Sequence, residues 1–224
     1  MVDDESLSPA QVRRIADQAL NLQEYILRRA WGLAYGINAA IIAVVLFLPL
    51  VVRAAGFSEA YGLLPRILVN TAVSLVGDVV EIWVFKRILD TSRVTRAVKG
   101  SLWAKTMRPG AVLAIFGIYI AVLLGALVFL RPEFLVLLFA LEAGLLPVFY
   151  LGLRVSFPSR LPVEGVVALG GFALATLGSL AISLLKPSPG GYGLLWTVAL
   201  VGFLLAFVRA RSAPRPVPPE VDTE

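Results

Sequence analysis

The sequence predicts an all-α protein: a polytopic integral membrane bundle of six transmembrane helices, preceded by an N-terminal amphipathic cytoplasmic helix. Three observations lead there. The 224 residues are 58% apolar and only 16% charged, with a mean hydropathy of +0.85, whereas a soluble domain is about 45–50% apolar and about 25% charged. Six apolar runs, each bounded by charge or by Pro and Gly, match the roughly 20 residues that cross a bilayer. The 20 basic residues fall almost entirely to one side of those runs.

The N-terminal segment, residues 1–30, opens on Ser8-Pro9-Ala10-Gln11, in which Ser8 can cap a helix, Pro9 suits its first position and Gln11 completes a capping box. Val12, Ile15, Ala19, Leu22 and Ile26 then recur at three- and four-residue steps on one face. Arg13 with Asp17, and Glu24 with Arg28, are opposite charges four apart. An amphipathic helix is expected, running into the first span and lying on the inner leaflet. A short coiled-coil seam for a partner or a second copy is the competing reading.

The spans follow at about 31–52, 63–85, 110–130, 134–153, 163–185 and 191–208. The second is the least apolar, because it carries Asn70, Asp78 and Glu81. No cleavable signal is expected, since the first apolar run begins only after some thirty residues and is too long for a signal core. Between the second and third spans lies a basic loop, 86–109, with Val94, Val98, Leu102 and Trp103 interspersed. Its Arg93, Arg96, Lys99, Trp103, Lys105 and Arg108 read as a lipid interface, with Trp103 at headgroup level, or as a docking surface for a cytoplasmic subunit. Residues 209–224 contain Pro214, Pro216, Pro218 and Pro219 and end in acids, as a solvated, disordered tail does.

Orientation comes from the basic residues. With six spans and the N-terminus inside, sixteen of the 20 Lys and Arg lie on the inner side, and only Arg53, Arg66, Arg131 and Lys186 lie outside. Basic residues in short loops favour the cytoplasm, so both termini are expected there, in the plasma membrane. The same distribution explains a pI near 9.8 without nucleic acid, because the basic residues sit where anionic lipid attracts them.

Polar groups inside the spans are costly and need a reason. Glu142 lies eight residues into its span, roughly 12 Å below the outer boundary at helical rise, with Gly144 and Pro147 just beyond it. Proline removes a backbone hydrogen bond and can kink the helix. A mid-membrane acid beside such a point suits a proton or cation site. Asn70, Ser74, Asp78 and Glu81, at spacings of four, four and three, line one stripe of the second span. With Asn38 of the first span they form, together with Glu142, a geometrically consistent polar seam and a candidate ligand or ion path. The structural alternative is that Asp78 and Glu81 pair with Lys86 or Arg87 at the interface, and that Glu142 merely ties two helices together. Small residues repeat at four in Gly32-Gly36-Ala40, Gly117-Ala121-Gly125 and Gly171-Ala175-Ser179-Ser183, which lets membrane helices approach closely.

Several chemistries are excluded or left without a motif. The chain has no cysteine and no histidine, hence no thiolate nucleophile, disulfide, cysteine zinc site or Ser-His-Asp triad. No phosphate-binding glycine loop stands in a strand–helix setting. Neither cofactor nor metal nor enzymatic activity is expected. The expected partners are the lipid bilayer and a second copy or a partner subunit. Two functions remain: a transport or permease-type subunit with its polar seam around Glu142, and a non-catalytic membrane scaffold or accessory subunit recruiting a partner through the N-terminal helix and basic loop.

Overall fold

A computed structural model describes residues 8–56, 72–73, 76–77, 79–80, 83, 132–157, 160–185 and 189–216. Four helices organise them: α1 (Pro9–Ala54), α2 (Pro132–Ser156), α3 (Val163–Leu185) and α4 (Pro189–Arg211). Each contains a stretch long and apolar enough to cross a membrane. No strand occurs among the described residues.

α1 starts where the sequence motif places it. The Ser8 hydroxyl accepts from the Gln11 amide at 3.2 Å, and the Gln11 side chain accepts from the Ser8 amide at 2.8 Å. The N-terminal segment runs into the first span as expected, but it does so without a break and is not a separate amphipathic helix. Residues 9–30 and the first span form one unbroken helix of 46 residues, about 69 Å long at 1.5 Å per residue. No Pro or Gly interrupts residues 10–31, so nothing in the backbone forces a break there. A hydrocarbon core about 30 Å thick accommodates less than half of this length. The remainder coincides with the part whose side chains, Val12, Ile15, Leu20 and Leu22 among them, are exposed. The helix passes through Pro49 and ends at Ala54; just beyond it Gly56, with a positive φ of 81°, turns the chain while its amide donates to Arg53 O.

The other three helices match the predicted fourth, fifth and sixth spans. α3 has the predicted bounds, whereas α2 and α4 run two or three residues further at each end. α2 continues through Pro147 without ending. Of the predicted second span only scattered residues are described, all helical, and Gly77 lies against Ile37 and Ile41 of α1. The predicted third span and the Gly117-Ala121-Gly125 ridge lie outside the described residues.

Contacts fix the directions. Gly32 and Gly36 of α1 meet Ala210 and Phe207 of α4, so these helices are antiparallel. Leu153 of α2 meets Gly165 of α3, and Gly171 of α3 meets Ala199 and Gly202 of α4, again antiparallel. α1 and α3 therefore run one way, and α2 and α4 the other. The small-residue ridges act as close-packing surfaces: a Cβ on Gly202 would stand 3.3 Å from Val167 O and 3.5 Å from the Gly171 Cα. At the centre, Phe149 of α2 stacks on Trp31 at 5.6 Å and contacts Tyr35, Phe172 and Phe203 at 6.3–6.4 Å between ring centroids. All four helices contribute to this aromatic core.

Candidate functional site

Glu164 and Glu142 lie in this bundle at different depths. Glu164 occupies the first turn of α3, after the buried Pro162, where helix amides favour an anion. It is 1% exposed, and Arg28 of α1 covers it with a fork: Nε donates to Oε1 at 2.6 Å and Nη2 to Oε2 at 3.2 Å. Among the described residues this is the one ion pair. Hydrogen bonding to Glu164 holds the Arg28 guanidinium more firmly in its charged form than an ordinary arginine, against the opposing pull of burial; the charges of Glu164 and Glu24 add to it. Arg28 thus bonds across helices to Glu164, while Glu24, its expected helical partner, acts only through space.

The neighbouring residues of α1 reinforce the joint. Arg29 Nη1 donates to the carbonyl of Arg211 at the end of α4 at 2.8 Å, and its guanidinium lies 5.6 Å from the Tyr25 ring centroid. Trp31 Nε1 donates to Ser156 Oγ at the end of α2 at 3.0 Å. Arg28, Arg29 and Trp31 thereby tie α1 to the near ends of the other three helices.

Glu142 is placed very differently. On α2, Phe139, Glu142, Leu146, Phe149, Leu153 and Ser156 follow one another at alternating steps of three and four, so Glu142 lies on the face that carries the aromatic core. The residue as a whole is half-buried, but its Oε2 is enclosed and has no hydrogen-bond partner. On α3, Ser179 is fully buried, and its Oγ likewise has none. Thr176, also fully buried, donates to carbonyls of its own helix, and Ser183 donates to Ser179 O and shares a 2.8 Å hydrogen bond with Tyr192 of α4. The Tyr192 ring stacks on Phe139 at 5.4 Å. Pro147 has no amide to return to the Ala143 carbonyl, next to Glu142.

Of the other residues in the predicted seam, Asn38 donates through Nδ2 to Ala34 O of its own helix at 3.0 Å. Asn70, Ser74, Asp78 and Glu81 lie outside the described residues, as do Arg93, Arg96, Lys99, Trp103, Lys105 and Arg108 of the basic loop. Sequence reasoning missed Glu164. Its signal was an acid at the mouth of an apolar run, just after a proline, in a chain whose first span is likewise preceded by Arg28 and Arg29. No group of three or more metal-ligating side chains occurs among the described residues. No protein-family model, no curated protein and no solved structure matches this chain.

Proposed function

We propose that this chain is a multi-pass membrane protein that moves a small solute or ion, a transport or permease-type subunit whose polar seam is centred on Glu142. The observation that carries the reading is the enclosed Oε2 of Glu142, left without a donor near the middle of an apolar helix. A group that only held two helices together gains by finding a partner, and a bare carboxyl in this position costs stability. Six spans with both termini cytoplasmic remain the threading we favour. In support, α1 leaves the bundle at the end where α2 enters it, which is compatible with two further spans between them. The N-terminal part of the unbroken α1 then projects from the membrane on the cytoplasmic side, and the basic loop 86–109 lies on the same side.

The exposed Val12, Ile15 and Leu22 favour a second reading, in which the chain is a scaffold or accessory subunit recruiting a partner through this face, without catalysis of its own. Reconstitution separates the two. Vesicles containing the wild-type protein are expected to pass protons or small cations under an imposed membrane potential, and Glu142→Gln is expected to abolish the flux at unchanged reconstitution. Equal flux from the variant and from empty vesicles would leave the scaffold reading. Threading has its own test, in which single cysteines at Ser58 and Ser188 label from outside and those at Ser101 and Ser212 do not. External labelling of Ser101 reverses the orientation.

A further inference from the structure

Glu142 Oε2 and Ser179 Oγ, both buried without a hydrogen-bond partner, belong to one place. Phe149 of α2 and Phe172 of α3 are in edge contact at 6.3 Å between centroids. Glu142 lies seven residues from Phe149, and Ser179 lies seven residues from Phe172, on antiparallel helices and in the same axial direction. Seven residues are two helical turns, about 10 Å of rise and a rotation of only about 20°. Glu142 and Ser179 therefore occupy the same depth on the facing surfaces of α2 and α3. Phe149 and Phe172 close this level toward the ion-pair end of the bundle, and the stacked Phe139 and Tyr192 flank it on the other side.

Resting on the transport reading of Glu142, we propose that the moving species is a proton, and that the site is the Glu142 carboxyl together with the Ser179 hydroxyl. With the proton bound, the Glu142 O–H donates to Ser179 Oγ. When the proton leaves, the serine hydroxyl turns and donates to the carboxylate. Neither oxygen is bonded in the structure, so a side-chain rotation brings the two together; one hydrogen bond then joins the pair in both states, as an apolar surrounding requires. The other hydroxyls on this face are already engaged: Thr176 with carbonyls of α3, and Ser183 with Ser179 O and Tyr192.

A metal ion fits the site less well, because a hard cation takes about six oxygen ligands and this level offers few. Among the described residues, no basic side chain faces the pair to neutralise a permanent carboxylate. The charged groups of α3 and α4 with described side chains are Glu164, Arg209 and Arg211, all at the far end of the bundle with Arg28 and Arg154, and Arg53 lies at the opposite end of α1. Among the described residues, Tyr192 is a titratable group flanking this level, and it is bonded to Ser183.

The test is infrared difference spectroscopy on the full chain in phosphatidylethanolamine–phosphatidylglycerol vesicles, stepped in pH without sodium. A carbonyl band of a protonated carboxyl is expected, absent in Glu142→Gln and moved to higher frequency in Ser179→Ala as its hydrogen bond is lost. A band that ignores Ser179→Ala, or no band that depends on Glu142, overturns the proposal. Erasure of the band by sodium chloride but not by choline chloride overturns it in favour of a metal cation. Proton flux in the same vesicles keeps the two claims apart: an intact band without flux defeats transport alone, and flux that needs Glu142 without any such band defeats this site alone.

Discussion

Glu164 and Glu142 are both acids in apolar helices, and the bundle treats them in opposite ways. Glu164 is sealed to 1% exposure and receives a two-point hydrogen-bonded arginine from another helix. Glu142 has an enclosed oxygen and no donor. Burial of a charge is tolerated when the partner comes with it, and loss of the partner is then costly. An acid that the fold leaves bare contributes little to folding, so its presence points to another use. The end of the bundle reads as architecture, and the level of Glu142 is the working site we propose.

The largest effect sharpens the comparison by disturbing neither acid. Gly202→Leu would drive a side chain into the backbone of α3, where Val167 O and the Gly171 Cα stand 3.3 and 3.5 Å from a Cβ. It is expected to cost about 3 kcal/mol, read as reversible unfolding in mixed micelles, and it calibrates what a packing lesion does to this bundle. A smaller loss is expected from Arg28→Ala, about 2 kcal/mol. That lies below the roughly 3–5 kcal/mol of a fully buried pair because Arg28 is 29% exposed and partly screened by solvent. Glu164→Gln should cost less again, about 1 kcal/mol, since the arginine left behind can reach water. The double variant should lose less than the two separate losses combined. Strict additivity would mean that the pair is not coupled, and the architectural reading of that end would fail.

The sequence made the helices legible for a plain reason: spans are specified by length and apolarity, and the bounds of α3 coincide with the predicted ones. It also made the Ser8–Gln11 cap legible, because a capping box is a local pattern. What it obscured was tertiary. The composition of residues 9–30 differs from that of the span they run into and suggests an amphipathic element of its own, yet helix continuity depends on backbone dihedrals, and nothing there breaks them. The pairing of Arg28 joins residues 136 apart in the chain, whereas spacing within one helix pointed to Glu24. Glu142 could be singled out by depth alone, but Ser179 could not, because its buried hydroxyl looks like any small residue in a packing ridge until α2 is set against α3.

The smallest predicted effect tests the central contrast most directly. Thermal unfolding of Glu142→Gln and Glu164→Gln should be measured side by side in the same lipid–detergent mixture. Glu164→Gln is expected to lower Tm measurably, while Glu142→Gln remains within about 0.5 kcal/mol of wild type, the range of a substitution outside any stabilising network. A Glu142→Gln variant that loses as much as Glu164→Gln would make Glu142 a strut of the fold, and the division between an architectural and a working acid would be wrong.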